Sequence, residues 1–327
     1  MIDCLSNPEW LNSQINFLLY LQQYRVGHLE FLDKFFLSVT VFGEFWLPTI
    51  ICAVTYWCID FRAGIYLFSL EALNVLFAHL FKMLACVYRP WILNSNVHPS
   101  ALAVPYAKGY SFPSGHSAMA SSVLGGVAYL LKNKKIWCIG IVGLILIVGF
   151  SRLWLGVHTP QDVICGLTMG MILVFLLNKM VNWAEENKNR YLYLLFIINI
   201  FAILALIYVS MFNSYRIDYI DGEILVNPKK SIYVTIVVYG YALGLLDGCF
   251  LCRRFLPFEP KADSIKCRVL RGVVGIILLL LMLKFVLEFI IMNTVNLKTA
   301  LLLMFLMGNF VTLIYPVIFS KIRFYKK

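Results

Sequence analysis

The stretch PSGH (113–116) sets a proline, a serine, a glycine and a histidine directly before an apolar run. Two other stretches, KMLACVYRP (82–90) and SRLWLGVHTPQD (151–162), place polar residues at the margins of apolar segments. Lys82, Arg89 and Arg152 supply three cations, and arginine presents a planar fork of donors suited to phosphate oxygens. Ser114 and Gly115 fall at a helix start, where free backbone N–H groups favour an anion and glycine permits close approach. Of His116 and His158, one can attack phosphorus and the other can protonate the leaving oxygen. Asp162, four residues after His158, is near enough to orient an imidazole. These residues describe a phosphate cradle holding a nucleophile and an acid. No metal or other cofactor is required, because the cations stabilise the transition-state charge.

The elements that must position them are membrane helices. The 327 residues are 61% hydrophobic and 14% charged, with a mean hydropathy of +0.80; soluble domains carry about a quarter charged residues. The net charge of +11 does not indicate nucleic acid as a partner, because the basic residues sit in short loops between apolar runs. Cys52, Cys58, Cys86, Cys138 and Cys165 lie in apolar runs and read as small buried hydrophobes, and the Cys249/Cys252 pair has no second pair or histidine at metal spacing. No cleavable signal peptide is evident. The stretch 9–25 reads as an amphipathic helix lying on the membrane, with Trp10, Phe17, Leu18 and Leu21 on one side.

A span needs roughly 20 mostly apolar residues. Nine candidates result, at 36–58, 63–84, 114–131, 136–152, 160–182, 191–212, 231–251, 269–292 and 299–319. The expected fold is therefore an all-α polytopic membrane helical bundle. Lys and Arg number 17 on one set of alternate loops and 10 on the other, so the first set is expected to face the cytoplasm. By this map all three polar stretches meet on the opposite, extracytoplasmic face.

The three stretches resemble the signature of the type 2 phosphatidic acid phosphatase superfamily. Its pattern, K-x6-RP, then PSGH, then SR-x5-H-x3-D, is met at Lys82, Arg89 and Pro90; Pro113, Ser114, Gly115 and His116; and Ser151, Arg152, His158 and Asp162. The resemblance covers about 60–182. It implies a metal-independent hydrolase in which His158 forms a phosphohistidine, Asp162 orients it and His116 is the general acid. Lys82, Arg89, Ser114, Gly115 and Arg152 would hold the phosphoryl oxygens. The expected organisation is an N-terminal segment (1–33), a phosphatase core (34–190) and accessory transmembrane helices (191–327). Expected partners are membrane lipids and a phosphorylated lipid substrate, such as an isoprenyl diphosphate or phosphatidic acid. The location would be a bacterial inner membrane or a eukaryotic endomembrane.

Other readings stand beside this one. Lys82 could snorkel to the interface, and Arg89 and Arg152 could anchor headgroups. Ser114 and Thr159 could be helix caps, with Asp162 complementing a helix dipole. A glucose-6-phosphatase-like sugar phosphatase, a lipid phosphotransferase, and a transporter built on a phosphatase core share the same residues. The transporter reading leans on Asp247, Lys284 and Glu288 within spans, with Lys284 and Glu288 expected to form an internal salt bridge. The turn DYIDGE (218–223) could weakly bind calcium but lacks the spacing of a calcium loop and reads as a solvated turn; His98 could touch substrate but reads as a plain loop histidine.

Overall fold

The structure, a computed structural model, describes residues 9–29, 31–212, 215, 217–220, 223–256, 258–260, 264–292 and 296–321. In chain order the helices are α1 (Glu9–Tyr24), α2 (Phe31–Thr40), α3 (Trp46–Val54), α4 (Phe61–Ala85), α5 (Pro90–Leu93), α6 (Gly115–Met119), α7 (Gly125–Leu130), α8 (Lys135–Trp154), α9 (Pro160–Glu185), α10 (Lys188–Ile207), α11 (Pro228–Phe255), α12 (Ile265–Met292), α13 (Leu297–Asn309) and α14 (Tyr315–Lys321). A two-residue antiparallel pair, Tyr219–Ile220 with Glu223–Ile224, is the sole strand pairing among the described residues.

Seven helices among the described residues are long and apolar enough to cross a membrane: Phe61–Leu93, Lys135–Trp154, Pro160–Ala184, Asn189–Met211, Pro228–Phe255, Ile265–Ile290 and Leu297–Ser320. A bent pair, Phe31–Gly43 with Trp46–Ile59, makes an eighth when taken as one span. The ninth expected span is a shorter run, α6 joined to α7 by a π turn at Ala120–Leu124. At 1.5 Å per residue it reaches about 24 Å, short of the roughly 30 Å hydrocarbon core.

The chain forms two compact units. The first comprises the described residues of Met1–Leu47, Phe77–Ile172 and Val209–Ile232; the second, those of Pro48–Leu76, Leu173–Tyr208 and Tyr233–Lys327. In the first unit one apolar cluster joins Met83, Tyr88, Tyr110, Val209 and Val226. A second joins Ala103, Ala107, Trp154, Leu155 and Val157. The polar residues of interest lie beside or between these anchors in sequence, so burial of the larger neighbouring side chains, about 1.5–3 kcal/mol each for Met, Leu or Val, holds them in place.

Close backbone packing does the rest. On α9, a Cβ at Gly166 would come within 2.6 Å of the Ser114 carbonyl oxygen, and one at Gly170 would overlap Ser121 Oγ. Small residues four apart let two membrane helices approach to backbone contact, and here they press α9 onto the run that begins at Gly115.

In α1 the four apolar residues expected on one side, Trp10, Phe17, Leu18 and Leu21, do not share a face. Leu11, Ile15 and Leu18 are its buried face, while Trp10 and Phe17 are exposed. Polar bonds explain the rotation. Gln14 Oε1 accepts from the Gln161 N–H at 2.7 Å, and Gln14 Nε2 donates to Gln161 Oε1 at 3.3 Å. Gln22 Oε1 accepts from the His98 N–H at 2.7 Å, and its Nε2 donates to the Asn96 carbonyl at 3.0 Å. Arg25, beyond the helix, donates to the His98 carbonyl.

The second unit is held by donors on buried aromatic side chains, which keep a polar tip satisfied inside an apolar body. Tyr56 Oη donates to the Thr312 carbonyl at 2.8 Å and Trp57 Nε1 to the Val311 carbonyl at 2.9 Å. Glu71, fully buried, accepts from Thr49 and, at 3.2 Å, from Tyr241 Oη. Asp247 accepts from Asn199 Nδ2 at 3.1 Å. Lys284 and Glu288 do meet, at 4.0 Å, but their side chains are 73% and 58% exposed, so the pair lies on an outer helix face and is not internal. The cysteines of the described residues are unbridged, and Cys249 and Cys252 are buried on α11.

Candidate active site

The first unit brings the three stretches together. Arg89, Ser114, Arg152, His158 and Asp162 are each at most 5% exposed. His158 follows the end of α8 by a tight turn in which Gly156 takes φ of 70°, a left-handed conformation that favours glycine. Asp162 sits in the first turn of α9, where Thr159 Oγ1 accepts from its N–H at 3.4 Å, as expected of a cap.

His158 is held from both sides of its ring. Nδ1 lies 3.3 Å from Asp162 Oδ2, and Nε2 lies 2.9 Å from Arg89 Nη1. A guanidinium only donates, so Nε2 is the acceptor and Nδ1 carries the proton that faces Asp162. The pKa of His158 is lowered well below the ordinary imidazole value, first by burial and then by the charges of Arg89, Lys82 and Arg152. The ring is therefore neutral, with its lone pair on the atom that faces the cations.

The cations divide into two kinds. Lys82, half-buried at the end of α4, donates to the carbonyls of Tyr110 at 3.0 Å and Ser111 at 3.4 Å. Arg89 donates to the carbonyls of Gly109 at 3.2 Å, Lys108 at 3.2 Å and Val157 at 2.9 Å. Arg152 is different: its Nε is buried without a hydrogen-bond partner. So is Nε2 of His116, which lies within electrostatic reach of Arg152, His158, Arg89 and Lys82. Buried polar atoms left without a partner are costly unless something outside the chain satisfies them.

Ser114 caps its helix. Its Oγ accepts from Ser117 Oγ at 2.9 Å and from the Ser117 N–H at 3.4 Å, and its own N–H donates to the Asp162 carbonyl at 2.9 Å. The hydroxyl proton of Ser114 remains to donate. Beside Gly115 a Cβ would meet nothing within 4 Å, so the backbone there is open to a bound group. All eight residues singled out from the sequence thus fall in the first unit. Among the described residues no group of three or more His, Cys, Asp or Glu side chains could hold a metal ion.

Sequence reasoning missed Ser111. It is fully buried, its Oγ donates to Asp162 Oδ2 at 2.5 Å, and the same oxygen lies 3.3 Å from His158 Nδ1. Its place two residues before PSGH was the available signal. His98 is engaged through its backbone, to Gln22 and Arg25. Asp218 accepts from Tyr88 Oη at 2.6 Å, and Asp221 and Gly222 of the same turn lie outside the described residues.

Fold and site together define an all-helical integral membrane protein with a buried cluster of cations and histidines. Residues 62–186 match the PAP2 superfamily, and residues 236–327 match the PAP2 superfamily phosphatase, transmembrane extension. The chain therefore carries a PAP2 superfamily domain and a PAP2 transmembrane extension. Among curated relatives, an undecaprenyl-diphosphatase of Sulfolobus acidocaldarius is 34% identical over 116 residues, covering 35% of this chain and 53% of the relative. Phosphatidylglycerophosphatase B of Bacillus subtilis is 36% identical over 119 residues, covering 34% and 55%. The chain thus spans about half the length of these relatives. A crystal structure of a transmembrane PAP2 type phosphatidylglycerolphosphate phosphatase from Bacillus subtilis aligns with 54% of this chain and 89% of its own, at 25% identity and a TM-score of 0.44.

Proposed function

We propose that this chain is a metal-independent membrane phosphatase that hydrolyses a lipid phosphate or lipid diphosphate through a phosphohistidine. The observation that carries the reading is the neutral His158 ring, whose Nε2 lone pair faces Arg89 while Nδ1–H faces Asp162. The names of the relatives, an undecaprenyl-diphosphatase and a phosphatidylglycerophosphatase, support a lipid-borne substrate.

The phosphoryl oxygens take the donors of Arg152, Ser114, the Gly115 backbone and Arg89, which leaves Nε2 as it turns to the anion. Nε2 then attacks phosphorus. The N–P bond forms and the P–O bond to the departing lipid, or lipid phosphate, breaks. His116, protonated once the phosphate anion sits beside it, gives that proton to the departing oxygen. The ring now carries positive charge, with its Nδ1 proton against Asp162. In the second step His116 takes a proton from water, the water oxygen attacks phosphorus, and the N–P bond breaks to return neutral His158 and release phosphate. Throughout, the cations supply the charge stabilisation. The loop-charge asymmetry supports a site on the extracytoplasmic face, which lipids reach laterally, and residues 191–327 would act as accessory helices beside a core at 34–190.

The test is phosphate release by purified protein in lipid–detergent micelles with chelator present. The panel is an isoprenyl diphosphate, phosphatidic acid, a sphingoid phosphate and glucose 6-phosphate, with His158→Ala in parallel. Release from a lipid substrate that vanishes in the variant supports the reading. Preference for the sugar phosphate would move the substrate class, and no release by folded protein would overturn the hydrolase.

A further inference from the structure

We infer that Ser111 is a positioning residue for the nucleophile, completing a His158–Ser111–Asp162 relay; this rests on the phosphatase reading above. The Nδ1 proton of His158 has two acceptors at the same 3.3 Å, Asp162 Oδ2 and Ser111 Oγ. Ser111 donates its own hydroxyl hydrogen bond to the same Oδ2 at 2.5 Å. The hydroxyl therefore accepts from the ring and donates to the carboxylate, and such chains polarise one another in a buried setting. Oδ2 receives a further bond from the Thr159 N–H at 2.9 Å, so it is fixed by donors from two directions.

The hydroxyl is held by the first signature stretch. The Ser111 N–H donates to the Val87 carbonyl at 2.7 Å. Lys82 donates to the carbonyls of Tyr110 and Ser111, and Arg89 to those of Lys108 and Gly109. Lys82 and Arg89 thereby tie the strap 108–111 against the strand of chain that carries them. They act on the nucleophile through Ser111 as well as through their charge.

The role concerns the step in which the N–P bond forms. The ring gains positive charge as Nε2 attacks, and the Nδ1 proton stays on the ring. A hydroxyl that accepts from Nδ1–H while donating to the Asp162 carboxylate stabilises that charged ring more than the resting neutral one. Its loss should appear in kcat and not in substrate binding.

The experiment compares Ser111→Ala, Ser111→Cys and Ser111→Thr in the full chain, each checked for native thermal unfolding in micelles. Ser111→Ala and the near-isosteric Ser111→Cys are expected to lower kcat about ten- to hundredfold, the range for one hydrogen bond to a charged group. KM should stay within about threefold, because the phosphoryl-binding donors are untouched. Ser111→Thr, which keeps the hydroxyl, should recover most of the rate. In an Asp162→Asn background, Ser111→Ala should cost little more, since linked groups are not additive. A second readout needs no turnover: the downfield Nδ1 proton resonance of His158, assigned by its loss in His158→Gln, should shift or exchange away in Ser111→Ala. Wild-type kcat in folded Ser111→Cys, additive losses with Asp162→Asn, or an unchanged resonance would overturn the relay. Should the wild type release no phosphate from any substrate, the phosphatase reading falls, and the resonance still decides whether Ser111 holds the His158 ring.

Discussion

Nε2 of His158 and Nη1 of Arg89 stand 2.9 Å apart, and the guanidinium can only donate across that gap. This one contact fixes the tautomer of the ring and places the lone pair toward the cation cluster. Under the proposed phosphohistidine route, Arg89 is the group that would have to leave the ring before Nε2 attacks.

The two histidines should separate by leaving group. His158→Ala should abolish both phosphate release and any acid-labile phosphoenzyme. His116→Ala should slow an alkyl phosphate by about 10²–10⁴, the usual worth of a positioned general acid. An aryl phosphate, whose phenolate leaves without a proton, should lose far less. Rapid-quench measurement of phosphoenzyme on both substrates checks this.

Arg89 and Arg152 should differ although both are arginines of the signature. Either change to alanine should lower kcat about 10²–10³-fold, as loss of one charge-stabilising donor does. Lysine should restore little, because it lacks the fork. Arg89→Ala also strips donors from the carbonyls of Lys108, Gly109 and Val157. It should therefore lower the thermal midpoint more than Arg152→Ala, whose Nε has no protein partner.

The pH profile follows from the lowered pKa of His158. The folded ring stays neutral below the ordinary value of about 6.5, so on an aryl phosphate, whose leaving group needs no proton from His116 and whose own ionisation is titrated separately, kcat/KM should stay level down to about pH 6. For stability the sign is set by the unfolded chain, whose imidazole binds its proton first as pH falls. The contribution of this residue is full above about pH 6.5 and is lost progressively below it, until the depressed folded value is reached. An acid limb of kcat/KM centred above pH 6.5 and traced to His158 would contradict the buried neutral ring.

Gly170→Val tests the packing that joins the second and third stretches. Its Cβ would overlap Ser121 Oγ and crowd the Ala118 carbonyl. Overpacking of this kind costs about 1–3 kcal/mol. Activity and thermal midpoint should fall together, whereas the exposed Met171→Val beside it should leave both unchanged.

The sequence by itself determined the helical class, the membrane setting and the eight residues of the cluster. Span length and hydropathy are local quantities, and the signature carries its own spacing. Only the tertiary structure decided how those residues are used. Ser111 became visible because the strap 108–111 folds back onto Lys82 and Arg89; its place two residues before PSGH put it near the site, but no local pattern there names Asp162 as its partner. Ser114 proved to be a cap as well as a donor, since its Oγ and N–H both find protein partners. α1 turned a different face inward because Gln14 and Gln22 find partners far along the chain, which no helical periodicity can encode. Lys284 and Glu288 paired as their spacing allows, but which side of α12 they occupy depended on what the rest of the unit covers. Local chemistry can be read from residue types and spacing, whereas burial and hydrogen-bond partners belong to segments that meet only after folding.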